Sequence, residues 1–420
     1  MKFDTVIIGG GLAGLVSGIK LCQQNKRCAI ISAGQSALHF CSGSFDLLNK
    51  LPDGTEVTSP VEVIGKLIEQ NPNHPYSKLG KEEFEIYTKE AERFLKSLKI
   101  PFNGSTTNHF RITPLGELKP TWQTIDSFAI TETKDKLPWK EVSIFNLTGF
   151  LDFYPDFIAH SLAKLGTKSN VEEFNLESVD RLRRNPSELR STNITNVMDK
   201  LSKEELNSLI VQLKKGSETS EAILFPAILG LDNEQQLEII KREVGKPIYI
   251  IPTLPPSVIG IKLQQYLYKK FIKLGGTYML GDNVIKGEIE NNSVTKVYSL
   301  NHGDIPFHAD HFILASGSFF SQGLIANRSK VYEPIFNLDV YSADQREDWY
   351  NENVFDNQPY QNFGIKTNNE FKGLINNNPL NNLYVIGAGL ENFNPIKEGS
   401  GAGVSLLTAL KVAHTIQSKK

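Results

Sequence analysis

The opening Phe3 to Gly18 constrains this chain more than any other stretch. FDTVII reads as an apolar strand and runs straight into Gly9, Gly11 and Gly14, with Gly18 one helical turn further. An apolar strand feeding a G-x-G-x-x-G turn and then a helix is the dinucleotide-binding fingerprint. Each glycine answers a separate demand. Gly9 permits a sharp turn, Gly11 admits backbone N–H groups close to a phosphate, and Gly14 lets the helix lie near the strand. Leu12, Leu15, Ile19 and Leu21 give that helix its apolar period, and its N-terminus adds partial positive charge for an anion. A phosphate-bearing cofactor is expected here, against the plainer reading of a glycine-rich turn that only packs.

A missing residue narrows the choice. An adenosine ribose normally meets an Asp or Glu at the end of the second strand, about 20 residues on. Here that strand reads CAIIS, Cys28 to Ser32, and no acidic residue lies between Gly14 and Asp46. No Lys or Arg between Ser32 and Asn49 could hold a 2′-phosphate either. NAD, NADP and FAD are all weakened together. FMN, which has a phosphate and no adenosine, suits the turn without the carboxylate and is the expected cofactor, ahead of FAD.

At 420 residues, 40% hydrophobic and 22% charged, the chain is long enough for a large core and about two domains. Its 45 basic and 47 acidic residues give a formal net charge of −2, so no global field argues for nucleic acid or an anionic membrane. Cys22, Cys28 and Cys41 are few for the length and lack C-x-x-C spacing. They point to a reducing compartment and leave too few thiolates for an iron–sulfur cluster. No metal-ligand spacing and no Ser/His/Asp set stands out. MKFDTVIIGGG has neither a cationic leader nor a cleavage site, and no apolar run reaches the roughly 20 residues that span a bilayer. A cytoplasmic protein is expected, reaching a membrane only through partners.

Two more pieces resemble parts of a nucleotide-binding fold. Ile259 to Leu274 has helical period and stops at Gly275 and Gly276; short strands follow through GEIENNSVTKVYSL, with a turn at Asn291-Asn292, then the strand pattern FILASGS, Phe312 to Ser318. LYVIGAG, Leu383 to Gly389, precedes the Gly399, Gly401, Gly403 turn that opens a helix over Val404 to Gln417. Between them, SIFNL (Ser143 to Leu147), AILFPAI (Ala222 to Ile228) and IYIIPTL (Ile248 to Leu254) alternate with helical patterns such as Asn233 to Glu243. The expected fold is α/β: a discontinuous Rossmann-like flavin-binding domain over 1–50 and 257–420, with an inserted α/β substrate or partner domain over 51–256. Expected cofactor contacts are Gly9, Gly11, Gly14, Ser32, Ser42, Gly43, Gly317, Gly387 and Gly401.

Six segments carry a resemblance: FDTVIIGGGLAGL (Phe3 to Leu15), GQSALHFCSGSFDLL (Gly34 to Leu48), RITPLGELKPTW (Arg111 to Trp122), IPTLPPSVIGIKLQ (Ile251 to Gln264), LASGSFFSQGL (Leu314 to Leu324) and EPIFNLDV (Glu333 to Val340). In that order and over nearly the whole chain, the sequence resembles the B subunit of the bacterial anaerobic glycerol-3-phosphate dehydrogenases. The resemblance implies an FMN flavoprotein working with an FAD-containing partner (the A subunit) and an iron–sulfur, membrane-anchoring partner (the C subunit). It also implies oxidation of sn-glycerol 3-phosphate to dihydroxyacetone phosphate, with electrons going to menaquinone and on to fumarate or nitrate. Ala388 agrees with FMN, because FAD proteins usually place an Asp there to reach the ribityl chain.

Candidates for the chemistry are fewer. Oxidising a secondary alcohol requires a base for the hydroxyl proton and an acceptor for the hydride. His39, in a Ser/Gly-rich loop after the second strand, is a candidate flavin contact, against a plain loop histidine. His109 beside Arg111 offers a base and a phosphate clamp, against a structural His-x-Arg. Arg183, Arg184 and Arg190 form a basic cluster that reads more simply as a solvated face. Cys41 reads as a small packed residue before a redox centre. The alternative function is a scaffold protein of the complex with a decayed flavin site.

Overall fold

Val6 and Ile7 are fully inaccessible to solvent and Ile8 nearly so, because the strand Lys2–Ile8 lies in the middle of a six-stranded sheet. Across that sheet the order is Thr277–Leu280, Cys28–Ser32, Lys2–Ile8, His308–Leu314, Asn378–Val385 and Lys372–Ile375. The first five run parallel and the last is antiparallel. Strands buried on both faces read as continuous apolar runs, as CAIIS does. The helix Leu12–Cys22 follows the first strand and packs on the C-terminal helix Gly401–Ser418.

The computed structural model describes residues 1–184, 189–231 and 235–418, without the side chains of 183 and 184. The chain divides into two compact units: Met1–Ala37, Phe45–Lys99 and Gln264–Lys420 in the first, Leu38–Ser44 and Ile100–Leu263 in the second. These limits differ from the expected division at 50 and 256. The helices Pro60–Gln70 and Pro75–Lys96 belong to the first unit. Within that unit the Tyr76 hydroxyl donates to the Leu47 carbonyl at 2.7 Å, Lys20 and His414 both meet Glu90 at 2.7 and 3.2 Å, and Tyr87 lies edge-on to His414. A boundary read from where one motif ends cannot register a helix whose apolar face returns to the far end of the chain. At the other junction the boundary falls inside the helix Val258–Lys273.

In the second unit, Ile248–Ile251, Ala222–Pro226, Glu141–Leu147 and Lys168–Phe174 form a parallel sheet in that order. The three apolar runs expected as strands thus pair, and the expected helix appears as Gln235–Val244; Asn233 and Glu234 lie outside the described residues. The antiparallel pair Phe102–Ile112 and Leu118–Ile125 was not foreseen, being too rich in Thr, Asn and Gln for an apolar pattern. The expected turn at Asn291 and Asn292 joins two antiparallel strands with φ of 48° and 60°, the left-handed pair of a two-residue hairpin. Among the described residues, no helix is long and apolar enough to cross a membrane.

Candidate functional site

Gly9 follows the strand ending at Ile8, Ser32 ends its own strand, Gly317 follows the strand ending at Leu314, and Gly387 follows the strand ending at Val385. Four of the expected cofactor residues therefore gather at the carboxyl ends of four adjacent parallel strands. The order places the first strand between the next strand of the chain, Cys28–Ser32, and the sequence-distant His308–Leu314, the switch point at which open α/β sheets bind ligands.

The three glycines of the fingerprint separate by what surrounds them. At Gly9 φ is +111° and a Cβ would overlap the Ala315 carbonyl, so the turn itself requires glycine. A Cβ at Gly14 would overlap the Gly9 carbonyl oxygen, so this glycine sets the helix-to-strand approach. Gly11 is different: its φ of −79° and ψ of −169° suit any residue, and an added Cβ would meet only Ser36 Cβ, at 3.6 Å. Gly11 is also the N-cap of the helix Leu12–Cys22, where no side chain caps the free N–H groups and the first turn holds no acid. Free N–H donors, positive helix end and clear space together fit a phosphate.

Ser32 stands where an adenosine-binding carboxylate is normally found, and its hydroxyl donates to the Gly34 carbonyl at 3.0 Å. Asp282, just beyond the adjoining strand, does not replace that carboxylate. It accepts from the Asn301 N–H at 2.9 Å and bonds His302 Nδ1 at 2.8 Å. Ala388 lies in the turn Gly387–Gly389, tied to the C-terminal helix by the Gly387 N–H donating to Thr408 Oγ1 at 3.1 Å. Gly401 opens that helix.

The remaining candidates fall in the second unit. Gly43, at φ +90°, packs against Ile259, and Ser42 shares a hydrogen bond with Ser44 at 2.8 Å. Desolvation lowers the pKa of His39, favouring the neutral imidazole that can accept a proton. His109 and Arg111 are both buried on one strand, with His109 Nε2 at 3.0 Å from Thr124 Oγ1 and Arg111 Nε donating to Ser44 Oγ at 2.8 Å. Desolvation pushes the Cys41 thiol up to about 11, against the pull of Arg111, which suits a packed cysteine and not a thiolate. Arg190 is exposed and pairs with Asp152 at 3.4 Å; the side chains of Arg183 and Arg184 lie outside the described residues.

Two features escaped the sequence reading. Tyr278 lies over Gly10 and Ser32. In the turn before Gly401, buried Glu398 takes Asn394 N–H, Ser400 Oγ and His74 Nε2, each at 3.1 Å. The absent carboxylate was the one hint to the first; nothing local signalled the second.

Residues 4–404 match the FAD binding domain family, and with the sheet and its glycine turns this defines a flavin-binding oxidoreductase fold. The B subunit of anaerobic glycerol-3-phosphate dehydrogenase from Yersinia enterocolitica is 47% identical, covering 100% of this chain and 99% of its own. Its counterpart from Pectobacterium atrosepticum is 43% identical over 99% of each. The chain belongs to the family of anaerobic glycerol-3-phosphate dehydrogenase B subunits. A solved 3-ketosteroid-Δ4-(5α)-dehydrogenase from Rhodococcus jostii gives a TM-score of 0.42 at 9% identity, over 99% of this chain and 97% of that one. The matched family binds FAD, where the missing carboxylate led to FMN; a flavin is common to both.

Proposed function

We propose that this chain is a flavoprotein subunit that oxidises sn-glycerol 3-phosphate to dihydroxyacetone phosphate within a complex. Its partners are an FAD-containing subunit, the A member of the complex, and an iron–sulfur subunit, the C member, which holds the assembly at the membrane. Electrons pass to menaquinone and on to fumarate or nitrate. The observation that carries the reading is the open, uncapped turn at Gly11 in a chain alike over its full length to subunits of that enzyme. Its own flavin is FMN: Ser32 and Ala388 stand at the two positions where FAD proteins usually carry carboxylates.

The reaction removes a hydroxyl proton and the hydride on the same carbon, and a bound flavin supplies the hydride acceptor. Gly11 and the helix behind it hold the flavin phosphate. Arg111 is the candidate for the substrate phosphate because a planar guanidinium meets two phosphate oxygens at once. His109, two residues earlier and so on the same strand face, is the substrate-side base candidate; His39 is the flavin-side candidate.

Two measurements test this. Heat-released cofactor, run by chromatography, is expected to be FMN in stoichiometric amount, and stoichiometric FAD would overturn that part. Glycerol 3-phosphate oxidation with a dye acceptor is expected to be poor for the chain alone and to rise when the FAD-containing partner is added. Full turnover by the isolated chain would remove the need for the complex.

A further inference from the structure

The strand Thr277–Leu280 lies at the edge of the first unit's sheet, parallel to Cys28–Ser32, with Tyr278 in register with Ile30. From there the Tyr278 ring reaches over the end of the second strand. Its hydroxyl donates to the Gly10 carbonyl at 3.3 Å. A Cβ on Gly10 would overlap that hydroxyl and lie 2.8 Å from Ser32 Oγ, so both hydroxyls converge on one spot above the glycine turn. Burial pushes the Tyr278 hydroxyl above its ordinary pKa while a hydrogen bond with Ser32 pulls the other way, so the group stays a neutral donor.

The ring is held from behind. Tyr268 meets it edge-on with centroids 5.1 Å apart, and Phe271 does so at 6.5 Å. The strand past Tyr278 is tied down as well, since the N–H groups of Gly281 and Asp282 both donate to the Ser32 carbonyl, at 2.8 and 3.2 Å. Edge-on aromatic pairs stabilise beyond burial alone, so swinging the ring aside costs free energy.

In a dinucleotide fold, the space between the first glycine turn and the end of the second strand takes the adenosine ribose. We infer that Tyr278 fills that space, closing the cleft beyond the phosphate at Gly11 and restricting this site to a flavin mononucleotide. Ser32 and Tyr278 act together: one withholds the carboxylate that would bind a ribose, the other occupies its volume. Tyr278 is thereby a specificity residue for the cofactor, and the inference rests on the proposal that this chain holds FMN.

The test is flavin affinity, read by fluorescence quenching as deflavinated protein is titrated with FMN and, separately, with FAD. Tyr278→Val keeps a β-branched residue on the strand and removes the ring; Tyr278→Phe keeps the ring. The valine variant is expected to gain about tenfold in FAD affinity relative to FMN, the scale of one regained hydrogen bond. The phenylalanine variant should stay selective for FMN. If the wild type prefers FMN and the valine variant, folded by circular dichroism, keeps the same preference, Tyr278 is not the barrier. If the valine variant fails to fold, Tyr278→Leu takes its place with the same two outcomes. A wild type that prefers FAD overturns the FMN proposal itself, and this inference falls with it.

Discussion

Gly11→Val is expected to give a folded protein that no longer retains flavin. The backbone at Gly11 is extended, a conformation valine adopts, and an added Cβ there meets only Ser36 Cβ. Strand and helix can therefore form as before. The new side chain instead occupies the approach to the helix N–H groups, and each charge-assisted hydrogen bond lost from the phosphate removes about 1.5–3 kcal/mol, about tenfold or more in affinity. Gly14→Val is the contrasting substitution. Its Cβ would overlap the Gly9 carbonyl oxygen, which is backbone and cannot move aside, so this variant should lose the fold as well as the flavin. Flavin-to-protein absorbance ratios beside far-UV circular dichroism check both. A Gly11→Val protein as yellow as the wild type would move the phosphate to another site.

Glu398→Ala is expected to cost about 3–5 kcal/mol of stability. Its carboxylate is buried and accepts from the Asn394 N–H and the Ser400 hydroxyl while bonding His74, whose ring is fully buried. Nδ1 of that ring already accepts from the Tyr76 N–H at 3.0 Å, which leaves Nε2 as the donor to Glu398. Alanine strands these groups where water cannot reach them. The Glu398 carbonyl also receives the N–H groups of Asn49 and Lys50, so the same turn anchors the chain after the second strand. Urea unfolding measures the loss, and Glu398→Gln, which retains one acceptor oxygen, should lose less. In a double-mutant cycle with His74→Leu, the combined loss should fall short of the sum of the two single losses. A loss below about 1 kcal/mol for Glu398→Ala, the size of an ordinary substitution, would mean the network is dispensable.

Much of the first unit could be read directly from residues. The strand Lys2–Ile8, the helix Leu12–Cys22 and the hairpin at Asn291 and Asn292 were all visible, because strand and helix periods and turn chemistry are set by neighbours along the chain. The three apolar strands of the second unit were visible for the same reason. That Gly11 is the one with open space around it, unlike Gly9 and Gly14, shows only in its surroundings.

The limits of the two compact units lie elsewhere than at 50 and 256. Helix Pro75–Lys96 carries an ordinary amphipathic pattern with buried Leu79, Phe84, Tyr87 and Phe94, and such a pattern states that a face is buried without naming its partner. The partner here includes His414, 324 residues from Glu90.

By itself, then, the sequence determined the glycine turn, the run of α and β elements, the absence of a ribose carboxylate and the family. Only the tertiary structure decided what lies over Gly10 and Ser32 and what holds the turn before Gly401. Tyr278 reaches Gly10 across 268 positions, and His74 reaches Glu398 across 324. Those meetings depend on strand order and register within the sheet, and on a helix folding back on the C-terminus. Local propensity carries no information about either, since it is the burial of distant apolar faces against one another that selects them.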